Sequence, residues 1–307
     1  LRMARVALCF ATLLARSTGA PVEHIDFPTP EQAYGVAHGQ LAYYRALEVS
    51  GQIRIIADVT QLDRHMAEWV RWDDGASGDS PPVGVIISME SADPILAPAD
   101  AGDWRDGGVR IFGPAHYGSG RYAGGTSSEA GMTPLGLALL DEMEKQSIIL
   151  DLTHLSDRAF WQALERFSGP VIASHNNCRA LVPHQRQFDD RQLAAIVGRD
   201  GVIGVALDTW MLLPGWVRGV TTNESVSLRA VVDHIDHICQ LAGSSEYVGI
   251  GSDLDGGFGR EQSPHDLDTI ADLQQFVALL DARGYSAADI DGIMHGNWLR
   301  LLRRVWR

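Results

Sequence analysis

Short apolar runs alternate with longer amphipathic segments along almost the whole chain, and this alternation constrains the fold more than any other feature. The runs are rich in β-branched residues and are bounded by polar residues, as expected for strands that are buried in a parallel sheet. The predicted strands occupy residues 5–10, 83–89, 108–112, 148–156, 170–175, 201–207 and 247–253. The sequence therefore predicts an α/β fold with a parallel sheet covered by helices.

The length of 307 residues suits a single (β/α)₈ TIM-like barrel, which commonly has about 250 residues. A closed barrel needs eight strands, and seven are predicted. Because the chain begins inside a predicted strand, we expect the missing first strand to lie upstream of Leu1; a strand overlooked within the chain is the alternative. No linker or repeat divides the sequence, so residues 1–307 are expected to form one domain.

Composition argues against several classes of function. The net charge of −14 and the isoelectric point near 5.1 disfavour nucleic acid and anionic membranes as partners. No apolar run approaches the roughly 20 residues that cross a bilayer. The three cysteines show no C-x-x-C spacing, which fits a reducing, cytoplasmic location. The first 15 residues mimic a signal peptide, but a buried strand fits the alternation better.

Histidines and carboxylates fall at the ends of several predicted strands. His154 and His175 each follow an apolar run, and Glu90, His116 and Asp253 end or follow three others. Parallel strands of an α/β barrel bring their carboxyl ends to one mouth, where the chemistry of such barrels lies. Imidazole and carboxylate are the ligands expected for Zn²⁺ or a similar divalent ion. The pattern therefore predicts a metal site.

Each of these residues also has a structural explanation. The histidines could be hydrogen-bonded groups at strand ends, Glu90 could cap a helix, and Asp253 could organise the glycine-rich turn that follows it. Five such residues at equivalent positions nevertheless favour one metal site over five separate structural roles.

Seven motifs give the chain a specific resemblance to the membrane (renal) dipeptidase family, peptidase family M19, and above all to its bacterial soluble members. The motifs are residues 87–92 (ISMESA), 113–118 (GPAHYG), 150–154 (LDLTH), 173–179 (ASHNNCR), 186–190 (RQFDD), 249–256 (GIGSDLDG) and 294–300 (MHGNWLR). The resemblance implies a metallo-dependent hydrolase barrel that holds two bridged Zn²⁺ ions per subunit. It also implies hydrolysis of small dipeptides, including those with a C-terminal D-residue.

The resemblance implies roles for six residues. The implied metal ligands are Glu90, which bridges both ions, His154, His175 and Asp253. Asp253 is also the implied proton carrier, His116 the group that steadies the tetrahedral oxyanion, and Arg186 the group that grips the substrate carboxylate. A planar guanidinium suits a carboxylate; on its own, Arg186 would be interpreted as a surface arginine in a charged loop.

One part of the family pattern, a His-x-Asp at the end of the first strand, has no counterpart at a predicted strand end. His24 and Asp26 have this spelling but lie in a proline-bounded loop, and we interpret them as coincidental. Their absence as ligands would weaken one metal site, so a non-catalytic barrel is an alternative, and a related amidohydrolase or lactonase is another.

A tyrosine that holds substrate in some family members also has no clear counterpart, because residues 207–211 (LDTWM) occupy that region. This difference predicts a different substrate preference. The aromatic segment at residues 210–216 is a candidate contact of a homodimer.

Overall fold

The computed structural model describes residues 1–19, 22–76, 78–254 and 256–306. Its strands are β1 (Leu8–Leu13), β2 (Ile53–Ile55), β3 (Val83–Glu90), β4 (Val109–Gly113), β5 (Ile149–Asp151), β6 (Val171–Ile172), β7 (Ile203–Val205) and β8 (Val248–Ile250). Its helices are α1 (Pro30–Val49), α2 (Val59–Asp73), α3 (Ala101–Asp106), α4 (Pro134–Lys145), α5 (Asp157–Arg166), α6 (Asp190–Gly198), α7 (Leu228–Ala242), α8 (Gln275–Arg283), α9 (Ala287–Asp291) and α10 (Asn297–Val305). Asp255, within the predicted glycine-rich turn, lies outside the described residues.

The Cα positions group into two compact units. Unit 1 comprises Leu1–Pro170 and Trp306, and unit 2 comprises Val171–Val305. That residues 1–307 form one domain stays a prediction.

In unit 1, parallel strands follow the order β1, β3, β4, β5. Residues 83–89 of β3 are all buried, which is the pattern of a parallel strand covered on both faces. Ile86 and Ile87, on opposite faces, have no exposed surface. The apolar runs of the sequence therefore mark the centre of this sheet correctly.

The prediction of seven strands is one short, because β2 also pairs in parallel with β3. β1 pairs along residues 84–89 of β3, whereas β2 pairs with residues 83–85 and β4 with residues 87–90. Since β1 occupies one edge of β3, β2 and β4 share the other edge end to end. Three half-buried residues make too short an apolar run to be recognised from the sequence.

Most predicted helices begin at side chains that cap them. Thr29 accepts a hydrogen bond from the backbone N–H of Gln32 at the start of α1, and Ser156 accepts one from Ala159 at the start of α5. Such caps satisfy backbone donors that the first turn leaves unpaired. The sequence also predicts a helix from about His265 to Arg283. The start of this prediction is wrong, because α8 begins at Gln275, after a 3₁₀ turn over Ile270–Gln274.

In unit 2, β7 and β8 pair in parallel, and Ala173, just after β6, bridges to Ile203 of β7. Ile203, Val205 and Val248 are fully buried. The long amphipathic α7 contributes Ile235 to the same core. Within the residues that the structure describes, no helix has the length and apolar character needed to cross a membrane.

Candidate metal centre and active site

A titratable or cationic side chain stands three residues after the last residue of every strand described. These side chains are Arg16, Asp58, Asp93, His116, His154, His175, Asp208 and Asp253. The carboxyl ends of parallel strands are where α/β folds present ligand-binding groups. Four of them, His116, His154, His175 and Asp253, are predicted strand-end residues, whereas Arg16 and Asp208 were not predicted from the sequence.

Glu90 is the last residue of β3, and it is half-buried behind seven buried residues. Ser91 then adopts a left-handed backbone conformation with φ of 84°, which turns the chain away from the strand direction. No helix begins at Glu90, so the helix-capping interpretation of this residue is wrong. Its carboxylate instead faces two histidine rings.

His154 is buried, with 4% of its surface exposed, and its Nε2 lies 3.0 Å from Glu90 Oε1. Its φ of 68° is costly for a residue with a side chain, and such strain is concentrated at functional sites. On the other side of the ring, Nδ1 lies 3.0 Å from the hydroxyl of Thr126, which also donates to the His154 carbonyl at 3.3 Å.

His116 lies against the same carboxylate, with its Nε2 3.7 Å from Glu90 Oε1. Its ring centroid is 4.3 Å from that of His154. The Nδ1 atom of His116 is 3.0 Å from Nη1 of Arg16. The three side chains predicted from the ends of β3, β4 and β5 are therefore brought together in unit 1.

The partners of the two Nδ1 atoms distinguish the two rings chemically. A guanidinium can only donate, so Nδ1 of His116 must accept and the proton of its neutral ring sits on Nε2. The Thr126 hydroxyl has one proton, so when it donates to the His154 carbonyl it can accept from Nδ1–H of His154. In that arrangement the lone pair of His154 is on Nε2, the atom that a metal ion would bind, whereas the neutral ring of His116 has an N–H donor at Nε2.

The Glu90 carboxylate and the two histidines fit a divalent metal ion in chemistry and spacing. One ligand atom from each of the three residues lies within 4.8 Å of the others. Two ligands of one zinc ion at about 2.0–2.1 Å and a tetrahedral angle are separated by about 3.3 Å, and the 3.0 Å between Glu90 Oε1 and His154 Nε2 is close to this value. With its proton on Nε2, His116 offers a hydrogen-bond donor at this site; without that proton it is a third possible ligand.

The His-x-Asp spelling at His24 and Asp26 does not form a pair of metal ligands. The His24 side chain is 85% exposed and lies 3.3 Å from Glu23. Asp26 makes a buried ion pair with Arg16, with 2.6 Å between Oδ2 and Nη2. Asp26 therefore contacts His116 indirectly, through Arg16, whose Nη1 lies against Nδ1 of His116.

In unit 2, His175 follows β6 and is buried, and its Nδ1 lies 2.9 Å from the Ser174 hydroxyl. Arg186, which is 2% exposed, donates to the His175 carbonyl at 2.8 Å and to Asn176 Oδ1 at 2.7 Å. Arg186 is therefore not the surface arginine that its charged surroundings in the sequence suggest. A guanidinium has five N–H groups, so these two bonds leave capacity for a substrate carboxylate.

Asp208, which follows β7, is buried and has an unusual titration. Burial, together with a smaller effect of the nearby Asp253, raises the pKa of its carboxyl to about 6, against the lowering effect of hydrogen bonds from Gln262 and Trp210. Gln262 Nε2 donates to both Asp208 oxygens and Trp210 Nε1 donates to one at 2.7 Å. Asp253 follows β8 in a left-handed conformation with φ of 56°, and its carbonyl accepts from the Gly256 N–H.

The fold of this chain is similar to that of solved metallopeptidases. The structure superimposes on a metallo peptidase from Rhodobacter sphaeroides, solved with a phosphinate mimic of the dipeptide L-Ala-D-Ala, with a TM-score of 0.81 and 26% identity over 99% of this chain and 89% of that one. This likeness confirms the predicted fold class, the TIM-like α/β fold of metallo-dependent hydrolases.

The sequence comparisons then give the family. The membrane dipeptidase family, peptidase family M19, matches residues 42–307, so the chain belongs to that family and is a hydrolase of the metallopeptidase class, as predicted. Dipeptidase tcpJ of Claviceps purpurea is 33% identical over 205 residues, which span 64% of this chain and 45% of that protein. An uncharacterised protein of Klebsiella pneumoniae, from the region 5′ of pqqA, is 32% identical over 208 residues, or 65% of this chain and 73% of that protein.

Proposed function

We propose that this protein is a zinc-dependent dipeptidase. The observation that carries the proposal is the Glu90–His154 pair, in which two buried or half-buried ligand atoms lie 3.0 Å apart with the ring of His154 oriented by Thr126. Imidazole and carboxylate donors suit zinc. The family match supplies the class of reaction, and the geometry supplies side chains suited to it.

When bound, the zinc would polarise the scissile carbonyl and lower the pKa of a water molecule toward neutrality. Glu90 and His154 would hold it, and the two oxygens of Glu90 allow this carboxylate to bridge a second ion. His175 and Asp253 are proposed as further ligands on the strength of their motifs. Two ions per subunit form part of this proposal.

The remaining groups act on the peptide itself. His116 would donate its Nε2–H to the oxyanion that develops on the carbonyl oxygen, since a fixed donor at that atom stabilises the tetrahedral state. Asp253 would carry a proton from the attacking water to the leaving amine. Arg186 would select short substrates by binding the free carboxylate.

The substrate class is a dipeptide, with C-terminal D-residues among those accepted. The Rhodobacter sphaeroides relative was solved with a mimic of L-Ala-D-Ala, and this supports testing D-residues first. The Asp208–Trp210 pair in unit 2 distinguishes this chain from members that use a tyrosine in the corresponding region. A cytoplasmic location and a homodimer stay predictions, and Trp216, which is 7% exposed, offers little surface to a partner.

The test is metal analysis of the purified protein together with hydrolysis of L-Ala-L-Ala, L-Ala-D-Ala and a lactone panel. We expect about two equivalents of zinc, following the two-metal arrangement, and dipeptide cleavage that chelators abolish and zinc restores. Cleavage of lactones without dipeptides would favour the amidohydrolase alternative. Protein that binds no metal and hydrolyses nothing would support the non-catalytic barrel.

A further inference from the structure

Arg16 is fixed more firmly than an arginine in a loop usually is. Its backbone N–H donates to the Ile25 carbonyl at 2.7 Å, and its carbonyl accepts from the Phe27 N–H at 2.8 Å. The residue is 2% exposed. Three residues after β1, it stands at the strand end that precedes α1.

Asp26 orients the guanidinium. Its Oδ2 accepts from Arg16 Nη2 at 2.6 Å, and its Oδ1 accepts from the backbone N–H of Thr18 at 2.9 Å. The Thr18 hydroxyl is within hydrogen-bonding distance of both oxygens, at 2.8 and 3.0 Å. The carboxylate is therefore held in place before it meets the arginine.

Net stability does not explain this buried pair well. A buried ion pair often contributes little, because desolvation of both charges offsets their attraction. Arg16 Nε is buried and has no hydrogen-bond partner among the residues that the structure describes, which adds a further cost. Costly buried polar groups of this kind are commonly retained for what they position.

The other end of the guanidinium reaches the candidate active site. Nη1 of Arg16 lies 3.0 Å from Nδ1 of His116 and 3.2 Å from the carbonyl of Tyr117. Both contacts have a donor on the arginine, because a guanidinium has no acceptor. The two contacts fix the plane of the guanidinium and, through it, the orientation of the imidazole ring.

We propose that Arg16, clamped by Asp26, is a positioning residue that holds His116 as the Nε2–H tautomer. In this form His116 is an oxyanion donor and is kept out of the metal-ligand set. The inference rests on the proposed dipeptidase function and deepens it, because it explains why one of two neighbouring histidines donates a proton while the other can bind metal.

The chain offers a matched control for this arginine. Arg54 pairs with Glu68 at 2.8 Å, and its Nη1 lies 3.3 Å from Nδ1 of His65. Both arginines thus connect a carboxylate to Nδ1 of a histidine. Arg54 lies in β2, away from Glu90. Replacing it therefore measures how much the loss of an arginine–histidine contact destabilises the fold without a change at the candidate active site.

The kinetic test compares Arg16→Met with Arg54→Met. Removing a fixed oxyanion donor costs about 10²–10³-fold in kcat, and a mispositioned donor should lose part of this. We expect kcat to fall by about 10- to 100-fold in Arg16→Met with KM changed by less than about threefold, and Arg54→Met to keep kcat within about twofold. Equal kcat losses in the two variants would overturn the proposal.

A double-mutant cycle tests whether Arg16 acts through His116. In a His116→Asn background, which deletes the Nε2–H, Arg16→Met should lower kcat by no more than about twofold. Independent, multiplicative losses would overturn the proposal. If Arg16→Met does not fold, Asp26→Asn releases the clamp more gently and should show the same coupling with His116.

The direct readout is the tautomer itself, from ¹⁵N NMR of histidine-labelled protein with the His116 signals assigned by their absence in His116→Asn. We expect unprotonated Nδ1 and protonated Nε2 in the wild type, and a mixture of tautomers in Arg16→Met. Identical spectra would overturn the proposal. Because this readout needs no turnover, it separates failure of the inference from failure of the proposed dipeptidase function.

Discussion

Two groups of the same composition, each with a carboxylate, an arginine and a histidine, lie at opposite ends of the strands of unit 1. At the carboxyl ends, the group consists of Asp26, Arg16 and His116; at the amino ends, of Glu68, Arg54 and His65. In both, the arginine pairs with the carboxylate and reaches Nδ1 of the histidine. The residue types and the order of contacts are therefore the same.

The two groups differ in what the other ring nitrogen meets. His65 Nε2 is 2.8 Å from the carbonyl of Ala7, just before β1, and Gly84 makes room for the ring, because a Cβ there would lie 2.5 Å from Nε2. His116 Nε2 instead faces Glu90 at 3.7 Å, beyond hydrogen-bonding distance. The arginine–histidine contact therefore stabilises the fold at His65, whose Nε2 binds a backbone carbonyl. At His116, whose Nε2 faces the carboxylate of a proposed metal ligand, the same contact can serve the chemistry of the site.

The largest effect should come from removing the proposed metal ligands that lie beside His116, Glu90 and His154. Glu90→Gln and His154→Asn should bind little zinc and lose at least about 10³-fold in kcat/KM, since the metal supplies the activated water. Metal content and dipeptide turnover are the measurements. His24→Ala, which removes an exposed histidine, is the control and should leave both unchanged; normal zinc content in Glu90→Gln would contradict the assignment.

The comparison itself is tested by matched His→Asn changes, which retain an acceptor near the Nδ1 position and delete the Nε2–H. His116→Asn should lower kcat by about 10²–10³-fold and alter the free energy of unfolding only slightly. His65→Asn should leave kcat nearly unchanged and destabilise the fold by about 2–4 kcal/mol, because the Ala7 carbonyl loses its donor and a cavity forms. The reverse pattern in urea titration and kinetics would refute the distinction.

A smaller effect is expected at Thr126, which orients His154 as Arg16 orients His116. Thr126→Val keeps the shape of the side chain and removes the hydroxyl that contacts Nδ1. Loss of a partner behind a metal ligand typically lowers affinity by about 10- to 100-fold. Competition with a zinc-binding dye measures this shift, and an unchanged affinity would show that His154 is oriented by other contacts.

The smallest expected effect is on the pH dependence of the free energy of unfolding, to which His65 contributes. Burial lowers the pKa of His65, and Arg54 lowers it further, against the opposing effects of the hydrogen bond to Ala7 and of Glu68. Below the ordinary value of about 6.5, the unfolded chain therefore binds a proton at this position more readily than the folded chain does. His65 thus makes the free energy of unfolding fall as pH decreases below that value.

In His65→Asn this contribution is absent, so the difference in the free energy of unfolding between pH 7.5 and pH 5.5 should shrink relative to the wild type. Urea titrations at the two pH values measure it. A larger pH dependence in the variant would show that the sign of the argument is wrong.

The sequence determined the parts of this protein that depend on local pattern. Buried parallel strands must be apolar over several residues, so β3 and β4 could be predicted, and with them the strand-end positions of Glu90 and His116. The helix starts at Thr29 and Ser156 were equally local, because a cap contacts the helix's own first turn. The family motifs added roles that no local pattern contains.

Only the tertiary structure decided which chemistry each strand-end residue can perform. Arg16 and His116 are 100 positions apart in the chain, and no periodicity or spacing marks a contact over that distance. The same is true of Thr126 and His154, so the different partners of the two Nδ1 atoms could not be read from the sequence. The protonation of a histidine is set by the partner that folding brings to its other nitrogen.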